Sequence, residues 1–374
     1  MSCALPPPHS FCYYTSARIR VNLFVQRSLD SIEIPAKIIY RDIVAPCSIM
    51  QKTFLKKWKY RAGDFFADIL LTLTITLFRR LTPQSKVVAS KIMGRIASSL
   101  SKKYKDRALS NLSIAFGEEK DDEEIQRIIK DVFYHLAMTG FETIYGMAHP
   151  WESLQSIKIE GKEHLDAALS RGNGVIAVGA HLGSFTLLGP RLGMEGYKVN
   201  IIIDMVTFPK VWNRINQLER EFGETPFPST PVSSSIRKSL SCLRRNEVLY
   251  IIADQQQRRG GIAVPFFGRM AYTPPGPAIF SLKTGAPVLP MFVLRESGLG
   301  RTLVIGKPID MERTFDERKD IETLTAKLTN VIEDTVRHHP GQWAWLNRRW
   351  KMPRHERFEK THKEGPNKNL PQTP

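Results

Sequence analysis

Cysteine is nearly missing from this chain. There are four in 374 residues, Cys3, Cys12, Cys47 and Cys242. Three crowd into the first 47 positions and none shows metal-ligand spacing, which excludes a disulfide framework and a zinc site. A reducing compartment suits such a chain. Acid is also scarce: 37 acidic against 54 basic residues leave a formal charge of +17. That excess implies an anionic partner, such as an acidic carrier protein or an anionic membrane surface. Nucleic acid is set aside, because no nucleic-acid-binding motif accompanies the charge. The expected nucleotide and hydrolase signatures are absent too. No G-x-S-x-G elbow is present, which makes Ser184 a poor hydrolase nucleophile. No phosphate-binding loop is found, and Gly172 and Gly174 precede their strand, the wrong order for a dinucleotide site. No cofactor is therefore expected. No internal repeat is visible.

What is present divides the chain into four parts. Residues 1–49 hold a proline run, Pro6–Pro8, and no sustained periodicity. They lack the architecture of a signal peptide, and are expected to be a disordered tail or an extension from a misassigned start. Residues 50–82 form a basic and apolar segment. Lys52, Lys56, Lys57, Lys59 and Arg61 are interleaved with Phe54, Trp58 and Tyr60, and FFADILLTLTITLF follows at Phe65–Phe78. Fourteen residues with Asp68 among them fall short of the roughly 20 that a membrane span needs. The basic flank and aromatics instead suit a helix in the membrane interface. Residues 83–352 carry the main domain, and 353–374 make a polar, proline-containing tail.

Within the main domain the first helices are basic, ending in RALSNLSIAF. The acidic run Glu118–Glu124 then opens an amphipathic helix, with Ile125, Ile128, Ile129, Val132, Phe133 and Leu136 at three-four spacing. From Ile157 strands and helices alternate. Strands are expected at Ile157–Glu160, Val175–Val178, Val199–Ile203, Val248–Ala253, Val288–Leu294 and Leu303–Ile305. Helices are expected at Ser184–Leu192, Lys210–Phe222, Ser234–Arg244, Pro277–Lys283 and Asp320–His338. The pattern predicts an α/β fold, a central mixed sheet with helices on both faces, preceded by a membrane-associated N-terminal helix.

Two stretches carry chemistry. In VIAVGAHLGSFTLLGP, Val175–Pro190, an apolar strand runs into a small-residue turn that places His181 at the strand's carboxyl end, with Ser184 as a possible helix N-cap. That edge is where α/β proteins bind ligands. In Ala253–Pro290, Asp254 and Gln255 follow a strand. Gly268 and Arg269 share a loop in which a guanidinium could hold an anionic group, and Pro274, Pro275 and Gly276 make a rigid turn before a helix begun by Pro277.

These blocks, in this order and spacing, resemble the lysophospholipid acyltransferase superfamily, and most closely its lipid A biosynthesis (lauroyl/myristoyl) branch. The marks are RALSNLSIAF, GAHLGSFTLLG, ADQ at Ala253–Gln255, FFGR…PPGPA…KTGAPVLP and WAWLNRRWK. The resemblance covers about Phe65 to Lys351. It implies an O-acyltransferase on the cytoplasmic face of the bacterial inner membrane. The donor would be acyl carrier protein or acyl-CoA, and the acceptor a hydroxyl of lipid A or a related glycolipid. It implies His181 as general base and a carboxylate five positions later, where this chain has Thr186. A threonine hydroxyl accepts a hydrogen bond but brings no charge. Two other carboxylates, Asp204 and Asp254, lie near strand ends and could support His181. The substrate-binding candidates are Gly183, Ser184, Asp254, Gln255, Gly268, Arg269 and Gly276. Asp204 also stands where the branch usually has arginine, and Asn347 where histidine is common. The alternative to an enzyme is a lipid-binding or scaffold homologue that lacks the acidic partner of its histidine.

Overall fold

The computed structural model describes residues 63–350, apart from 118, 205–208, 258, 297–298, 311–312 and 315. The chain divides at Phe66 into two units, and the second, Ala67–Pro374, contains the elements discussed below apart from the first turn of α1. The expected tails at 1–49 and 353–374, and the basic run from Lys52 to Arg61, lie outside the described residues.

Helix α1 (63–78) coincides with the apolar stretch. Leu70, Leu73 and Leu77 are exposed on it, while Phe78 is buried and stacks on Phe141 at 5.4 Å. Among the described residues no helix is long and apolar enough to cross a membrane. The basic stretch forms two helices, α2 (Pro83–Leu100) and α3 (Lys102–Phe116). Next comes α4 (Asp122–Ala148), capped by Asp121, whose carboxylate accepts from the Glu124 N–H at 2.8 Å. Asp122, Glu123 and Glu124 in its first turn complement the helix dipole. Its apolar stripe, Ile125, Ile128, Ile129, Val132 and Phe133, is buried as the three-four spacing requires.

After α5 (Pro150–Gln155) the sheet begins with β1 (Ile157–Glu160), followed by α6 (Lys162–Leu169), β2 (Val175–Gly179), α7 (Leu188–Met194) and β3 (Val199–Ile203). The chain continues through α8 (Pro209–Glu221), β4 (Glu224–Pro228), α9 (Val232–Arg244) and β5 (Val248–Ile252). A hairpin, β6 (Ile262–Phe266) and β7 (Arg269–Thr273), precedes α10 (Gly276–Thr284), β8 (Val288–Arg295), β9 (Arg301–Ile305) and α11 (Glu317–His338). Seven strands form one sheet in the order β1-β9-β8-β2-β5-β3-β4. β8, β2, β5, β3 and β4 run parallel; β9 is antiparallel to β8, and β1 is parallel to β9. The sheet is therefore mixed. Alternate residues of β2 enter two different cores: Ile176 and Val178 face one, Val175 and Ala177 the other. A strand buried on both faces reads as a continuous apolar run, and VIAV is one.

Several elements differ from the sequence expectation, among them α5 and α6, which were not foreseen as helices. β4 carries Pro226 and Pro228 and was not foreseen as a strand. It lies at the sheet edge, where a missing N–H is tolerated. The hairpin β6–β7 contains Pro265 and turns on Phe267 and Gly268, both at positive φ (51° and 69°), in place of the usual Asn-Gly. Ser184 does not cap a helix with its side chain. Residues Phe185–Leu187 form a short 3₁₀ turn ahead of α7, and the Ser184 hydroxyl is committed elsewhere.

Candidate active site

The strand order sets the centre of the site. β2 and β5 are parallel neighbours paired Val175↔Val248 through Gly179↔Ile252. Carried two residues past the strand ends, the same register puts His181 opposite Asp254. Their contact is twofold. The His181 backbone N–H donates to Asp254 Oδ2 at 2.9 Å, and the imidazole Nδ1 lies 2.7 Å from Oδ1. The indole N–H of Trp343 donates to Oδ2 as well, at 2.7 Å. The Asp254 side chain is fully buried, whereas that of His181 is 25% exposed.

These contacts decide the charges. Burial alone would raise the Asp254 pKa. The adjacent His181, and the hydrogen bonds from His181 and Trp343, override it and hold the carboxylate below its ordinary value. For His181 burial works downward, but the Asp254 charge and hydrogen bond outweigh it and raise the imidazole above its usual value. With Nδ1–H donating to Asp254, the outward Nε2 is the basic nitrogen. The exposed amide of Gln255 stands 3.2 Å from it, and Phe185 packs edge-on to the ring at 5.0 Å.

The remaining candidates separate. Thr186 Oγ1 pairs with Thr143 Oγ1 of α4 at 2.9 Å, so its hydroxyl is directed to α4 and the imidazole takes its carboxylate from β5. Asp204 follows β3, on the far side of β5, and accepts from Ser229 Oγ. Ser184 is buried and donates to Glu142 Oε2 at 2.6 Å, behind the site. Gly183 sits at φ +62°, and a Cβ there would run into the carbonyl of Val293, so only glycine fits the turn. Gly268 and Arg269 lie at the exposed tip of the hairpin. Phe267 beside them donates its N–H to Glu333 at 2.6 Å and lies under the Arg337 guanidinium at 4.5 Å. No described hydrogen bond joins Gly268 or Arg269 to His181. Gly276 opens α10, with Pro277 at the expected N-terminal position.

The sequence did not single out Trp343. Its segment returns from α11 as a strap across the turn that carries His181. Gly183 N–H donates to Gln342 O at 3.1 Å, and Ala344 N–H to His181 O at 3.0 Å. The strap is tied from α3: Asn111 Nδ2 donates to the carbonyls of Trp345 (2.6 Å) and Asn347 (2.7 Å), and Arg107 to that of Leu346 (3.0 Å). A tryptophan-rich run near the end of a basic chain was the available signal, since a buried indole N–H needs an acceptor.

Residues 54–352 match the model of the bacterial lipid A biosynthesis acyltransferases. The chain belongs to that family. Among its relatives, the lipid A biosynthesis palmitoleoyltransferase of Escherichia coli is 25% identical over 266 residues, 69% of this chain and 82% of that one. The lipid A biosynthesis lauroyltransferase of the same organism is 25% identical over 272 residues, 69% and 83% of the two chains. A phosphatidylinositol mannoside acyltransferase of Mycobacterium tuberculosis is 26% identical over 196 residues, 51% of this chain and 59% of its own length. The chain thus spans about six-tenths of the mycobacterial relative. For this lipid A acyltransferase family member, SNL at 110–112 and the WAWLNRRW block are one construction: the asparagine of the first holds the backbone of the second, and the second delivers Trp343 to Asp254.

Proposed function

We propose that the protein is an O-acyltransferase that moves a fatty acyl chain from a thioester donor, acyl carrier protein or acyl-CoA, to a hydroxyl of a glycolipid acceptor. Relatives named for lipid A and for phosphatidylinositol mannoside both point to a glycolipid, and lipid A or a close analogue is the acceptor of choice. The observation that carries this reading is the His181–Asp254 pair, with a basic Nε2 at the carboxyl edge of a parallel sheet.

In this mechanism the acceptor hydroxyl takes the place of the Gln255 amide at Nε2. His181 removes its proton as the oxygen attacks the thioester carbonyl. Asp254 holds the tautomer and stabilises the imidazolium that forms. The tetrahedral intermediate expels the thiolate, which receives the proton from His181, leaving an ester and a free thiol. Thr186 takes no part in proton transfer and keeps the 3₁₀ turn against α4. Arg269 offers an exposed guanidinium to the acidic carrier or to an acceptor phosphate. The exposed leucines of α1 support a seat in the headgroup region, at the cytoplasmic face of the bacterial inner membrane.

Asp254, 2.7 Å from the imidazole, supports the enzyme over the scaffold alternative, which rested on a histidine without a carboxylate. The test is lipid mass spectrometry on a deletion strain complemented with wild type or His181→Ala. A glycolipid should lose one acyl chain, restored by wild type alone. Restoration by a stably expressed His181→Ala protein would end the general-base assignment.

A further inference from the structure

Behind the catalytic turn lies a buried cluster whose charges do not balance. Glu142 of α4 accepts from Ser184 Oγ at 2.6 Å and from Arg295 through Nη2 at 2.7 Å and Nε at 3.2 Å. Arg301, opening β9, holds Nη1 3.8 Å from the same carboxylate, and its Nη2 donates to Ser153 O at 3.0 Å and Ser156 Oγ at 2.6 Å. The side chains of Glu142, Arg295 and Arg301 are only 6%, 6% and 5% exposed. Two guanidiniums against one carboxylate leave one positive charge in the interior. Arginine does not shed its proton to relieve it. His135 beside them adds no charge: burial and Arg295 push its imidazole down to about 4, so it is neutral at pH 7. Glu152, which accepts a hydrogen bond from Tyr145, is more than half exposed, so water screens it from the cluster.

The donor count agrees with the charge count. Arg295 Nη1, Arg301 Nε and Nη1, and Ser153 Oγ are buried and have no hydrogen-bond partner among the described residues. All four can donate. Unpaired buried donors and an uncompensated buried charge both destabilise the fold. Both deficits are met by the same thing, a single negative charge that accepts several hydrogen bonds.

We infer that this cluster is a binding site for one small monovalent anion of the halide type, held by Arg295, Arg301 and Ser153. A single charge brings the cluster to neutrality, whereas a doubly charged phosphate would overshoot it. The anion shares its two guanidiniums with Glu142. Glu142 fixes Ser184, and Thr139, itself bonded to Arg295, fixes the Gly183 carbonyl at 3.2 Å. The anion therefore braces the turn that carries His181.

Halide binding here is independent of acyl transfer and is read by stability and diffraction. Full-chain protein in mild detergent is moved into sodium gluconate and titrated with sodium chloride or bromide at constant ionic strength. The melting temperature should rise saturably with either halide. Ser153→Ala, which removes one donor and no charge, should need roughly tenfold more halide for the same rise, the loss of one hydrogen bond to a charged group. Crystals soaked in bromide should show an anomalous peak within hydrogen-bond distance of Arg295 Nη1 and Arg301. A melting temperature indifferent to the anion, an unchanged halide midpoint in Ser153→Ala, or a site without anomalous signal would each overturn the assignment.

Discussion

Replacing Asp254 by asparagine keeps the shape of the site and inverts its proton arithmetic. Asp254 Oδ2 accepts two N–H groups, the His181 backbone at 2.9 Å and the Trp343 indole at 2.7 Å, while Oδ1 accepts one, from Nδ1 at 2.7 Å. Asparagine has one oxygen, and the two fixed donors claim it. The amide NH₂ then faces Nδ1, which must become the acceptor, and the ring proton moves to Nε2. The imidazole can no longer take a proton from an acceptor hydroxyl. In a serine protease the same substitution, acting through the wrong tautomer, costs about 10⁴-fold, roughly 5 kcal/mol of barrier. A similar loss is expected here, measured as transfer of a labelled acyl chain from its carrier to a glycolipid on protein whose melting temperature shows it folded. The pH profile supplies a second readout. The base works when neutral, and Asp254 raises the His181 pKa, so the wild-type rate should climb with pH through a midpoint above the ordinary imidazole value of about 6.5. In Asp254→Asn the residual rate should climb at lower pH. Activity within tenfold of wild type, or an unmoved midpoint, would refute the dyad.

Three further substitutions probe the supports. Trp343→Phe removes one hydrogen bond from the buried carboxylate and should lower kcat about tenfold with little change in KM; a KM effect with intact kcat would place the indole in substrate binding instead. Thr186→Val, which breaks only the pair with Thr143, should keep activity within about tenfold, because the carboxylate partner of His181 is Asp254. Gly183→Ala forces a Cβ at φ +62° against the Val293 carbonyl and should cost roughly 2–3 kcal/mol, seen as a melting temperature lower by several degrees.

Much of the fold was legible because it is written in local periodicity. β3 has the predicted bounds, and β2, β5 and β8 begin where the apolar runs begin. α5 and α6 are too short for a helical period to stand out, and in the other missed elements local chemistry argues against the state adopted. β4 tolerates its prolines only because tertiary packing puts it at the edge, and Phe267 accepts positive φ in a hairpin whose tip is clamped by Glu333 and Arg337.

The active site divides the same way. The residue pattern alone established that a histidine follows a buried strand, that two aspartates follow other strands, and that a family's blocks occur in order. It left Asp204 and Asp254 equivalent and let Thr186 stand in the expected acidic slot. The choice among them was made by strand order in the folded sheet. β5 lies directly beside β2, while β3 lies one strand further out, roughly 10 Å from β2 at ordinary strand spacing. Parallel register then carries Asp254, and not Asp204, to His181. The order of strands in a sheet depends on how helices pack across its faces, and no local pattern of residues encodes it.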